Sequence, residues 1–111
     1  MAWKELNTQT QLESINSRSF EMPVLIMKHS TRCSISSTAL NRMNAGMPEL
    51  ADRMDLYYLD ILSYRPLSNE IAVKYSLEHQ SPQVLLIQNG ECIYSSTHLA
   101  IRPIEILEHI R

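Results

Sequence analysis

Glycine is scarce in this chain: Gly46 and Gly90 are the only two in 111 residues. A glycine-rich loop that cradles phosphate is therefore excluded. Cysteine is just as scarce, with only Cys33 and Cys92. Two cysteines cannot build a disulfide framework, and no histidine or cysteine stands at zinc-ligand spacing, so no metal site is expected. In a reducing compartment two such cysteines are free thiols. No apolar run approaches the roughly 18 residues of a membrane span. The opening Met1-Ala2-Trp3-Lys4-Glu5-Leu6 lacks the apolar core of a secretion signal. These absences predict a cytoplasmic protein with no membrane partner. Ten basic residues face twelve acidic ones, for a net charge of −2, and the basic residues are scattered. A nucleic-acid partner would want a basic face, so none is expected. Repeats and low-complexity segments are also missing. What remains is an ordinary globular balance, 44% hydrophobic and 20% charged, over a length that predicts one domain spanning residues 1–111.

The apolar pattern alternates between two periods. Thr8 to Ser19 carries Leu12 and Ile15 among polar residues, as a short amphipathic helix does. Pro23 opens the run Val24-Leu25-Ile26-Met27, whose unbroken apolar character predicts a strand buried on both faces. Ile35, Ala39, Leu40, Met43 and Met47 mark one helical face, which Ser30 or Thr31 could cap and which Gly46 and Pro48 disturb at its far end. Met54 to Asp60 reads as a second strand. Pro66 starts a helix that continues through Leu67, Ile71, Ala72 and Tyr75. Gln83 to Gln88 reads as a third strand, and Asn89-Gly90 signals a tight hairpin into a return strand over Glu91 to Ser95. Pro103 starts a last helix with Ile104, Leu107 and Ile110 inward. The order α-β-α-β-α-β-β-α fits any α/β sandwich closed by a hairpin. With the positions of one cysteine and one proline it predicts an α/β, thioredoxin-like fold: a central mixed four-stranded sheet flanked by helices, its first two strands parallel.

Cys33 follows the first core strand and opens the next helix. In a parallel sheet, sites form beyond the C-terminal ends of the strands. A thiol at a helix N-terminus faces unpaired backbone N–H groups and the positive end of the helix dipole, both of which favour thiolate, the nucleophilic form. Arg32 and Lys28 add positive charge nearby in sequence, although strand alternation can turn Lys28 away. A dithiol oxidoreductase would carry its second cysteine at position 36, where this chain has Ser36. Chemistry at Cys33 would then stop at a mixed disulfide until another thiol attacks. Pro82 lies between polar Glu78-His79-Gln80-Ser81 and the third strand, where a thioredoxin fold places a cis proline facing the active cysteine. Cys92, on the return strand, has neither a helix terminus nor a basic neighbour and reads as a packed residue; the alternative is a resolving thiol.

The segment from Phe20 to Ser36, with Lys28-His29-Ser30-Thr31-Arg32-Cys33 at its heart, resembles the monothiol bacilliredoxin family, thioredoxin-like proteins first labelled general stress proteins. Arg65-Pro66-Leu67-Ser68-Asn69, Glu78-His79-Gln80-Ser81-Pro82-Gln83 and Asn89-Gly90-Glu91 extend the resemblance over nearly the whole chain. It implies an oxidoreductase that removes bacillithiol from S-thiolated client proteins, with bacillithiol as co-substrate and no tightly bound cofactor. By this likeness Cys33 is the attacking nucleophile and Ser81-Pro82 the cis-proline element. The family usually has proline where this chain has Ser34, and tryptophan where it has Tyr94.

The candidate set is thus Cys33 as the catalytic residue, with Lys28, Thr31, Arg32, Ser34, Ile35, Arg65, Ser81 and Pro82 around a bound thiol. Bacillithiol carries carboxylates, so Arg32, Lys28 and Arg65 are the cations expected to hold it, while Ser96-Thr97-His98 closes the groove. Three other readings stand beside this one. They are a redox-inert thioredoxin-like adaptor, a thiol sensor or peroxidase using Cys33 and Cys92, and iron–sulfur cluster handling, which would favour glycine where Ser34 stands.

Overall fold

A computed structural model describes residues 3–111. The first helix, α1 (Gln9–Arg18), starts at a capping box. Thr8 Oγ1 accepts from Gln11 N at 3.1 Å, and Gln11 Oε1 accepts from Thr8 N at 3.1 Å. Its buried positions are Leu12 and Ile15. After β1 (Trp3–Glu5) and α1 comes β2 (Val24–His29), buried at every position. Then follow α2 (Ser34–Ala45), α3 (Met47–Arg53), β3 (Asp55–Asp60), α4 (Arg65–Lys74), β4 (Gln83–Gln88), β5 (Glu91–Thr97), a 3₁₀ turn (His98–Ala100) and α5 (Pro103–Glu108).

The strands form one mixed sheet in the order β1-β3-β2-β4-β5. It has five strands, not the four expected. The extra one, β1, runs parallel to β3 with Trp3 opposite Leu56. Three residues are too few to show an alternating pattern, which is why its sequence gave no strand signal. β2 lies parallel to β3 and antiparallel to β4, and β4 forms the hairpin with β5. The return strand runs two residues further than expected, to Thr97, with an irregular register between Leu86 and Ile87. The helix expected to continue through Met47 is two helices: α2 ends at Ala45 with Gly46 as its cap, and Pro48 sits in the first turn of α3.

Alternation along the central strands splits the core in two. Val24, Ile26, Leu85 and Ile87 pack with Leu12, Ile15, Leu67 and Ile71 from α1 and α4. Leu25, Met27, Val84 and Leu86 pack with Ala39, Met43, Leu50 and Ile106 from α2, α3 and α5. The alternation continues to the end of β2, where it sends Lys28 towards the α4 layer and His29 towards the α2 layer.

The joint between α2 and α3 is seated directly on α5. A Cβ at Gly46 would lie 2.6 Å from Pro103 Cβ. Gly46→Ala should therefore cost about 1–3 kcal/mol by forcing these helices apart. A thermal melt should show the lowered Tm; an unchanged Tm would mean that α5 yields freely.

Candidate active site

The loop from β2 to α2 is held from inside by one hydroxyl. Ser36 Oγ accepts from Ser30 N at 3.0 Å and lies 2.8 Å from His29 Nδ1. Both Ser36 and His29 are buried. With the Ser30 N–H donated to it, the hydroxyl still has a proton to offer His29 Nδ1. Burial pushes the His29 pKa below the usual histidine value, against smaller opposing effects of Ser36 and Asp60, so the neutral ring is favoured. The His29 and Tyr58 rings are 5.3 Å apart.

Cys33 itself occupies the N-cap position of α2, with extended backbone (φ −111°, ψ 121°). This corrects the expected cap at Ser30 or Thr31. Ser30 Oγ instead accepts from Arg32 N at 3.3 Å, within the turn that delivers Cys33 N to Ser30 O at 3.2 Å. Because Cys33 takes the cap position, no side-chain oxygen caps the first turn of α2. The amide groups at the helix head are left free for the sulfur or for something bound to it. Cys33 is half-buried, while Thr31, Arg32, Ser34 and Ile35 are exposed around it.

The second wall of the rim comes from the segment before β4. The Ser81–Pro82 peptide bond is cis, as expected. The pairing of Lys28 with Gln83 puts this segment beside the end of β2. Gln83 clamps it from below: its Oε1 accepts from Gln80 N at 3.4 Å and its Nε2 donates to Glu78 O at 3.2 Å. Pro82 O accepts from His98 N at 3.0 Å. The His98–Ala100 turn is in turn fastened to α2, where Arg42 Nη1 donates to Leu99 O at 2.7 Å. Cys33, Ser81-Pro82 and His98 thus share one end of the sheet. Ser96 and Thr97 lead into that turn along β5.

Lys28 and Arg65 are brought together, but on the other side of the sheet from α2. Lys28 is fully buried, so it cannot touch a substrate, and its expected place beside Cys33 is corrected. Its Nζ donates to Ser68 O at 3.0 Å and lies 3.2 Å from His79 Nδ1. Burial first, and the Arg65 charge second, push its pKa down to about 8. Arg65 is exposed at the head of α4, and its Nη1 lies 2.9 Å from His79 Nε2. Sequence reasoning did not single out His79. Its signal was present, however: a histidine two residues before Ser81-Pro82, in the segment that leads into β4.

Cys92 is half-buried against the α1–α4 side of the core. Its thiol donates to Tyr94 O at 3.3 Å, and burial raises its pKa. It pairs with Ile87, and Ile87 pairs with Val24, at the start of β2. Cys33 lies beyond the other end of that strand. Four steps along the strand, from Val24 to Lys28, already separate the two levels by about 13 Å. A disulfide needs Cα atoms within about 7 Å, so the two thiols of one molecule cannot join in this fold.

Among the described residues, no three His, Cys, Asp or Glu side chains group as a metal site requires. No described helix is long and apolar enough to cross a membrane.

Comparison with known proteins agrees with this geometry. The family model described as monothiol bacilliredoxin BrxC matches residues 4–106. A solved structure described as a candidate oxidoreductase with a thioredoxin fold is 31% identical, with a TM-score of 0.86 over 97% of this chain and 93% of that one. The thioredoxin of Nicotiana alata is similar at a TM-score of 0.78 and 17% identity, covering 99% of this chain and 94% of its own. That of Malassezia sympodialis gives 0.75 and 14%, covering 98% and 90%. The last two likenesses establish the fold alone.

Two measurements test this site. Cys33 should be alkylated at pH 7 at least about tenfold faster than Cys92, since only Cys92 is buried as a protonated donor. Equal rates, read by mass spectrometry of each peptide, would remove the distinction. Lys28 supplies the second. The folded chain releases its proton near 8 and the unfolded chain only near 10.5. Between these values the unfolded state binds more protons, so stability should rise with pH across that window. Denaturant titrations should show that rise in the wild type relative to Lys28→Met, whatever the offset between them at pH 7.

Proposed function

This chain belongs to the monothiol bacilliredoxin family, and on that premise we propose that it is a thiol–disulfide oxidoreductase that strips bacillithiol, or a similar small thiol, from protein mixed disulfides through Cys33. The observation that carries this reading is the pairing of Cys33, at the uncapped head of α2, with Ser36 in the resolving position. The Ser36 hydroxyl is buried and committed to Ser30 and His29. It offers no second thiol, and it fixes the loop that presents the first.

The exchange is a two-step sulfur displacement. The Cys33 thiolate attacks the small-thiol sulfur of a client disulfide. A Cys33–small thiol disulfide forms, the client sulfur leaves as thiolate, and the client is reduced. A second small thiolate then attacks that sulfur, releases a small-molecule disulfide and restores the Cys33 thiolate. Each step conserves one disulfide, and no metal or bound cofactor takes part. The free amides of Ser34, Ile35 and Ser36 face the charge that moves onto and off the Cys33 sulfur. Arg32, exposed beside Cys33, and Arg65, across the rim, are the cations available to the carboxylates of the small thiol. Thr31, Ser34, Ile35, Ser81 and Pro82 line the approach. The remoteness of Cys92 weighs against a two-cysteine sensor within one molecule.

A client protein carrying bacillithiol tests the proposal. Cys33→Ser should abolish release, because a serine hydroxyl is not ionised at neutral pH. Cys92→Ser should leave turnover nearly unchanged. In the absence of added thiol, wild type should accumulate as the Cys33 mixed disulfide, visible as a mass increase. A Cys33→Ser variant as active as wild type would overturn the proposal.

A further inference from the structure

Beneath the rim lies a group of nitrogen side chains with no counter-charge. His79 stands between Arg65 of α4 and Lys28 of β2, which among the described residues are the charged groups acting on it. No carboxylate joins them: among the described residues, both ion pairs belong to Arg18. Arg65 can only donate, so the 2.9 Å contact makes His79 Nε2 the acceptor. A neutral ring then carries its proton on Nδ1, directed at Ser68 Oγ 3.1 Å away, while the Lys28 ammonium, 3.2 Å from the same nitrogen, turns its own proton to Ser68 O. Burial, together with both cations, keeps the ring from gaining a second proton. Lys28 closes the arrangement from below through Ser68 O.

The consequence is an oriented guanidinium. An exposed arginine ordinarily samples many rotamers and loses that freedom on binding. Here one N–H is already anchored on the His79 ring. The anchor belongs to the same short segment that carries Ser81 and Pro82, and Gln83 clamps that segment at both Glu78 and Gln80. Arg65 also opens α4 directly after the loop that Ile61 N ties to His29 O at 3.0 Å, at the end of β2. The positively charged group is thus anchored at the end of the sheet beyond which Cys33 also lies, and among the described residues no carboxylate pairs with it.

We infer that His79 is a positioning residue that aims Arg65 at a carboxylate of the small thiol, which makes Arg65 the specificity-determining cation for anionic over neutral thiols. This rests on the exchange activity proposed above. His79 acts through Arg65 and does not touch the reacting sulfurs.

The test compares two mixed disulfides of one client protein, formed with 3-mercaptopropionate (anionic) and with 2-mercaptoethanol (neutral). His79→Phe removes the acceptor. It should raise KM for the anionic adduct by about tenfold, the worth of an oriented charge-assisted hydrogen bond, with kcat unchanged. KM for the neutral adduct should stay within about twofold. His79→Gln, whose Oε1 can still accept from Arg65, should restore most of the preference. Histidine ¹⁵N NMR of the wild type should find the His79 proton on Nδ1, a readout that needs no activity. Equal loss on both adducts, no loss on either, or a proton on Nε2 would each overturn the inference while leaving the exchange activity standing. A wild type that turns over neither adduct would instead sink the proposed activity.

Discussion

Two hydrogen bonds to the Ser36 hydroxyl, from Ser30 N at 3.0 Å and with His29 Nδ1 at 2.8 Å, hold the turn on which the whole site depends. Burying a hydroxyl without partners is costly, so the loop must close in the one way that satisfies it. That closure fixes Ser30, whose carbonyl and hydroxyl then set Cys33 N and Arg32 N. Cys33 is left at the helix head with no oxygen competing for the free amides. The position that would hold a resolving thiol in a dithiol enzyme here performs a structural task.

Much of this was readable in the sequence because it is local. Val24 to Met27 announced a doubly buried strand, and Asn89-Gly90 announced the hairpin. The placement of Cys33 and Ser81-Pro82 followed from their offsets to those strands. What was not readable depended on contacts between distant segments. β1 is three residues long and exists only because β3 offers it an edge. Cys33 became its own cap because Ser30 was drawn inward by Ser36, six residues away. The sequence pattern marked Lys28 and Arg65 as charges near the cysteine. Only the packing of α4 shows that one is buried and the other anchored, both through a histidine that looked like ordinary loop.

The end of β2 explains why the site has two unlike halves. Successive residues of a strand face opposite ways, so Lys28 and His29 enter different layers. On the α2 side the result is neutral and closed: a histidine and a serine satisfy each other beneath the nucleophile. On the α4 side it is cationic and incomplete: lysine, arginine and histidine share one ring with no anion among them. A strand that ended one residue earlier would have only one of these halves.

The buried Ser36 hydroxyl also bears on how such a chain can change over evolutionary time. Converting a one-thiol enzyme to a two-thiol enzyme looks like a single-atom exchange, oxygen for sulfur at position 36. Sulfur is a weak acceptor and a larger atom, and it would leave Ser30 N and His29 Nδ1 short of a partner in a dry interior. A cysteine at position 36 should therefore lower stability as well as add a thiol. The packing beneath the loop thus favours serine over cysteine at position 36 in this chain.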